Sequence, residues 1–177
     1  RFRNNIFDKV NLFTNKPSND DDIKVIGIQN NKRTWKYFPK AFMDLDHENL
    51  EKWKVLLPRA NGSGAIGEVL STPLIGEPLI GYTQSFIGIG AFGAKNEAEA
   101  ALKYVKSKFC RTMLGILKIT QDNNRDTWRL VPVQDFTNNS DIDWSKSIEE
   151  IDKQLYRKYN LSDKEIAFIE EKVRPME

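Results

Sequence analysis

His47 and Cys110 are the single histidine and the single cysteine of this 177-residue chain. Structural zinc takes four Cys or His ligands, so this pair cannot hold it. A Cys–His nucleophile is formally available. Cys110, however, stands beside Phe109 in a helical pattern with no catalytic motif around it. His47 lies among acidic neighbours and reads as a surface residue. Gly62-Ser-Gly-Ala-Ile-Gly67 has the G-x-G-x-x-G spacing of a dinucleotide loop. Such a loop must follow a strand, open a helix and precede an acidic residue by about 20 positions. No helical pattern opens at Gly67 and Pro73 follows soon, so these read as turn and close-approach glycines. Glu68 and Glu77 sit in the same region without an acid-x-Lys partner for a metal nuclease. Catalysis gains little support from these residues, and binding gains more.

Residues that suit a nucleic-acid surface are better represented. Lys32 and Arg33 sit at an expected hairpin turn, with Trp35 and Tyr37 behind them. Lys54 and Arg59 flank the entry to the glycine-rich stretch, where Asn61 and Ser63 follow. Tyr82, Thr83, Gln84 and Ser85 form a second polar cluster. Arg and Lys read guanine, Asn and Gln read adenine, and hydroxyls take bases or phosphates. Lys103, Lys106, Lys108, Arg111, Lys118 and Arg125 are candidates to neutralise phosphates, with Gln121 between the last two. Each has a plainer alternative: strand packing for the aromatics, a solvated helix face for the lysines, and turn formation for the polar residues.

The elements that must position these groups follow from local pattern. Residues 1–22 look irregular and end in an acidic loop. Ile23, Val25 and Ile28, then 34–38, predict a β-hairpin turning near Asn30 and Asn31. Residues 55–57 predict a short strand ended by Pro58. Residues 58–94 hold eight of the ten glycines and three of the seven prolines. That punctuation predicts short β elements joined by loops, which carry function when a scaffold holds them. Residues 96–118 predict one amphipathic helix, with Ala98, Leu102, Val105, Phe109, Met113 and Ile116 on its apolar face. Gly115 costs about 1 kcal/mol against Ala there, so it marks close packing. Residues 128–133 read as a strand. Ser147 with Glu150, and Ser162 with Glu165, are capping boxes that open two tail helices, 148–159 and 164–173.

About 40% of the residues are apolar, enough for a core, and no run reaches the roughly 20 apolar residues of a membrane span. One cysteine suits a reducing cytoplasm. Residues 1–134 carry a net +6 and residues 135–177 a net −4, which together give the chain's +2. Such a split suits a polyanion at one part only, or ordinary surface charge. The chain opens with Arg1, which suggests a piece of a larger protein.

Four strings resemble a known family. They are Lys54-Val-Leu-Leu-Pro58 before a glycine-rich stretch, 96–121 with its Phe109-Cys-Arg-Thr-Met-Leu-Gly ending, Trp128-Arg-Leu-Val-Pro132 with Gln134-Asp-Phe136, and 155–176. In this order they resemble the TaqI-like C-terminal specificity domain, or target recognition domain, of type II restriction–modification DNA adenine methyltransferases. The likeness covers about residues 24–177, and 155–176 is its most distinctive part. It implies sequence-specific binding of double-stranded DNA by a non-catalytic module of a bacterial, cytoplasmic enzyme. It also implies an upstream catalytic domain that binds S-adenosylmethionine and flips out the target base. A bifunctional parent with restriction endonuclease activity is one form of that family. The catalytic tetrapeptide contains Pro-Pro. No Pro-Pro pair occurs here, so neither catalysis nor cofactor binding is carried over to this chain.

The expectation is an α+β fold: a mixed, mostly antiparallel sheet, one central amphipathic helix and a C-terminal helical pair. Residues 1–22 would be a linker from the missing catalytic domain, 23–136 the recognition domain and 137–177 a helical extension. DNA contacts are expected from Lys32, Arg33, Lys54, Arg59, Asn61, Ser63, Tyr82, Thr83, Gln84, Ser85, Lys118, Gln121 and Arg125, with no catalytic, cofactor or metal residues. A protein–protein docking domain and a stand-alone enzyme are the alternatives from other classes.

Overall fold

A computed structural model describes residues 2–176. The predicted hairpin is β1 (Ile23–Gln29) against β2 (Lys32–Phe38), antiparallel, with Gln29 opposite Lys32. Asn30 and Asn31 turn it at φ 50° and 58°. Two left-handed residues give the twist that a two-residue hairpin needs, and Asn tolerates that region better than most. β5 (Ile80–Tyr82) pairs parallel with the other edge of β1. A second sheet has β3 (Trp53–Pro58) between β4 (Leu74–Gly76) and β6 (Phe86–Phe92), all antiparallel. The fold is α+β, with two small, mostly antiparallel sheets where one was expected.

The two central strands are buried on both faces, and this stacks the layers. Val25 packs with Phe7, Phe13, Phe38 and Leu50, whereas its neighbour Ile26 packs with Leu56, Tyr82 and Phe86. Successive strand residues point to opposite faces, so the first sheet lies between an N-terminal aromatic cluster and the second sheet. Leu56 and Leu57 repeat the device: Leu57 packs with Leu70, Val105 and Leu114 on the helical side.

Residues 2–22, expected as a linker, pack against the first sheet. A short α1 (Ile6–Lys9) brings Phe7 to the sheet, Thr14 bridges Tyr37, and Phe2 bridges Thr83. Phe7 and Phe13 are buried, and ring contacts link Phe2, Phe13 and Phe38. Aromatic rings bury large areas, and four of them here outweigh the polar residues between.

The single predicted helix is two. α2 (Lys95–Lys106) stops at Ser107, and α3 (Lys108–Leu117) starts after it. Ser107 has φ −59° and ψ 149°, outside the helical region, and its hydroxyl accepts from the Cys110 N–H at 3.1 Å. The apolar spacing runs through the break because both helices face the same core. The N-cap position of α2 is Ala94, which makes no side-chain cap bond.

The strand expected at 128–133 is a 3-10 turn, Arg125–Trp128, followed by irregular chain. Asn124 accepts from the Asp126 and Thr127 amides, so an Asn-led turn replaced the strand, and Val133 projects into solvent. Both tail capping boxes form, on α4 (Ile148–Lys158) and α5 (Asp163–Lys172). Ile151, Leu155, Tyr156 and Ile169 share one cluster with Ala100, Tyr104, Phe109 and Cys110. The tail therefore completes the helical layer rather than extending from it. No described helix is long and apolar enough to cross a membrane.

Candidate nucleic-acid interface

The glycine-rich loop after β3 is held from beneath by cations. Lys118 is buried and its Nζ donates to the carbonyls of Asn61 at 2.7 Å and Thr120 at 3.0 Å, and to the Glu68 carboxylate. The other Glu68 oxygen accepts from the Ser63 and Gly64 amides at 2.7 and 3.2 Å. Gly64 has φ +93°, and a Cβ there would lie 2.5 Å from the Ile119 carbonyl carbon, so this position requires glycine. Desolvation pushes the Glu68 carboxyl up, but Lys118 and the two amides outweigh it and hold it below the usual range. Arg111, also buried, donates to the carbonyls of Gly67 at 2.8 Å, Lys106 at 3.0 Å and Arg174. It ties the loop to the chain end.

Several expected DNA contacts are corrected by burial. Lys54 lies in β3 with Nζ enclosed by the carbonyls of Asn49, Lys52, Glu77 and Leu50, at 2.8 to 3.3 Å. Burial lowers its pKa to about 8. Lys118 is the second such lysine. Asn61 is buried and spends its amide on the Val69 carbonyl and the Ser71 N–H. Thr83 is fully buried, and its hydroxyl accepts from the Ser85 N–H. Among the helix cations, Arg111 is internal, Lys108 pairs with Glu170, and Lys103 serves the carbonyls of Trp144, Ser145 and Lys146. These groups cannot reach a phosphate without giving up internal bonds.

Tyr82 is also buried, in the cluster with Ile26, Leu56 and Phe86, and the other candidates lie at or near the surface. Lys32 is exposed at the hairpin turn. Arg33 spans from the hairpin to the loop, donating to Ser71 and Thr72 carbonyls at 2.7 and 2.8 Å, with its guanidinium 5.8 Å from the Phe86 ring centre. Ser63 and Gln121 are exposed, and Gln84 and Ser85 are half-buried.

The tertiary fold brings residues 59–61 against 121–123, a pairing with no sequence signal. Asn61 N donates to the Gln121 carbonyl and Asn123 N to the Arg59 carbonyl, both at 2.7 Å. Arg59 Nε then meets Asp122 Oδ1 at 3.0 Å, with both side chains about two-fifths exposed. Asp122 is held below the ordinary carboxylate range chiefly by that bond. Beside this pair opens a hollow of about 520 Å³. Arg59, Tyr82 and Arg125, all expected site residues, line it. Glu48, Asn123 and Trp128, which sequence reasoning missed, line it as well. The Asn123-Asn124-Arg125 run just before Trp128 was the available signal, and it reads as a turn until β3 is placed against it. Tyr82 accepts from Asn49 Nδ2 at 3.1 Å, so its ring is fixed in the wall.

No family model, no curated protein and no solved structure matches this chain.

Proposed function

We propose that this chain is a sequence-specific DNA recognition module of a restriction–modification adenine methyltransferase. The observation that carries the reading is the hollow shared by Arg59 and Arg125, with polar side chains and an indole also lining it. Guanidinium groups position phosphates, and amides and hydroxyls read base edges. The four sequence strings supply the family, and the layered scaffold supplies rigidity for the loops that would make contact. In this reading the chain works in the cytoplasm beside a catalytic methyltransferase domain. S-adenosylmethionine belongs to that domain, and no residue here is assigned to it.

DNA binding across a salt series, with a randomised duplex pool, tests the proposal. The expected result is affinity that falls steeply with salt and enriches one short adenine-containing motif. No binding at low salt, alone or with a catalytic domain supplied, would overturn it.

A second reading has its own observation. An apolar groove of about 360 Å³ runs between α3 and α5, lined by Phe109, Met113, Ile116, Leu161 and Phe168. Ile116 and Phe168 are half exposed. Such a surface favours docking to another protein or domain.

A further inference from the structure

Asn123 is fully buried in the wall of the hollow. Its Nδ2 donates to the Pro58 carbonyl at 3.2 Å. A carbonyl only accepts, so this bond fixes which end of the amide is nitrogen and turns Oδ1 away from Pro58. That Oδ1 has no hydrogen-bond partner among the described residues. Neither has the indole Nε1 of Trp128, which lines the same hollow. Buried polar atoms are almost always paired, so an orphan acceptor and an orphan donor at one hollow call for an explanation.

A planar ring whose edge carries both a donor and an acceptor would supply a partner for each. Adenine presents such an edge, with its amino group next to N7, and other nucleobases carry comparable ones. Arg59, already bonded through Nε to Asp122, and Arg125 line the hollow as cations for a phosphate, with Asp122 and Glu48 the opposing carboxylates. The volume of about 520 Å³ falls within the roughly 300–1,000 Å³ of small-molecule sites.

We propose that the hollow receives a single unstacked nucleobase with its 5′-phosphate. The proposal rests on the DNA reading for the source of that base, and a free mononucleotide shares its chemistry. The two orphan atoms are buried. A base therefore reaches them only after a local rearrangement, and Trp128 emission changes on binding.

The test titrates the protein with four probes. They are a fully paired duplex, the same duplex with one bulged adenine, the same with a bulged abasic site, and adenosine 5′-monophosphate. The expected result is that the adenine bulge binds roughly tenfold tighter than the abasic bulge, the gain of one base hydrogen-bonded along its edge. Trp128→Phe keeps a ring but removes the N–H, and should shrink that ratio several-fold in a protein whose circular dichroism is unchanged. Arg125→Ala should weaken both bulges alike. Equal binding of adenine and abasic bulges, with the paired duplex also bound, overturns the base receptor and leaves the DNA reading standing. Binding of the monophosphate without any duplex supports the receptor and overturns the DNA reading. Failure of all four probes overturns both.

Discussion

Asp152 Oδ1, on α4, accepts the backbone N–H of Phe109 in α3 at 2.9 Å, and its other oxygen accepts that of Lys108 at 3.0 Å. A tail carboxylate thus caps the helix that Ser107 starts, favourably placed at its positive end. Burial nevertheless raises the Asp152 carboxyl from 3.8 to about 6. Between those values the folded chain holds a proton that the unfolded chain has released. The stability this group contributes is therefore full below the unfolded value and is lost as pH rises through about 6. Asp152→Asn should remove that fall. It should also cost about 1–3 kcal/mol at all pH values, because one amide loses its acceptor. Urea denaturation between pH 4 and 7 checks both. A pH profile unchanged by the substitution would show that Asp152 does not titrate in this window.

Arg59 and Arg125 should act on DNA and not on folding. Alanine at either position should lower affinity for all duplexes and reduce the salt slope by about one unit, with unfolding midpoints nearly unchanged. Filter binding over a range of salt concentrations reads the slope directly. A variant with wild-type slope would remove that arginine from the phosphate-contacting set.

Lys54 and Lys118 should behave in the opposite way. Their ammonium groups serve internal carbonyls, and Lys118 also serves Glu68. Lys118→Met leaves a partly buried carboxylate without its cation, a loss of about 3–5 kcal/mol for a broken buried pair. The double variant with Glu68→Gln should recover part of that loss in a double-mutant cycle. Limited proteolysis should cut residues 61–68 faster in the single variant. Loss of DNA affinity without loss of stability would return Lys118 to the interface.

Gly115→Ala should destabilise, although alanine is the better helix former by about 1 kcal/mol. The added Cβ would meet the Ile66 Cα at 2.8 Å and the Gly67 nitrogen at 3.0 Å. Both are backbone atoms of the pinned loop and cannot turn aside, so overpacking should outweigh propensity. Thermal unfolding decides the sign.

Cys110 is fully buried, and burial raises its thiol pKa far above the usual range. Thiol reagents should label it at the rate of opening of the folded chain, and at full speed in denaturant. Rapid labelling of the native protein would place Cys110 outside the core.

Local pattern alone determined the elements whose signals are local. The hairpin followed from Asn30 and Asn31 between apolar runs, and the two tail helices from the Ser–x–x–Glu boxes. The α+β class followed from strand signals before residue 94 and helical spacing from 96 onward, and Gly115 already marked a close approach. Only the tertiary structure decided the rest. A helix break at Ser107 is invisible to periodicity when both halves face one core. A strand at 128–133 fails when no sheet edge accepts it. Phe7 and Phe13 turn an irregular terminus into a wall once a sheet face is there to receive them. The same reason governs the site. Residue type says that Lys54, Lys118, Arg59 and Arg125 are all cationic. Which of them face solvent depends on the long-range pairing of 59–61 with 121–123 and on the carbonyls, near and distant in sequence, that close around Lys54 and Lys118, and these arrangements exist only once the chain has folded.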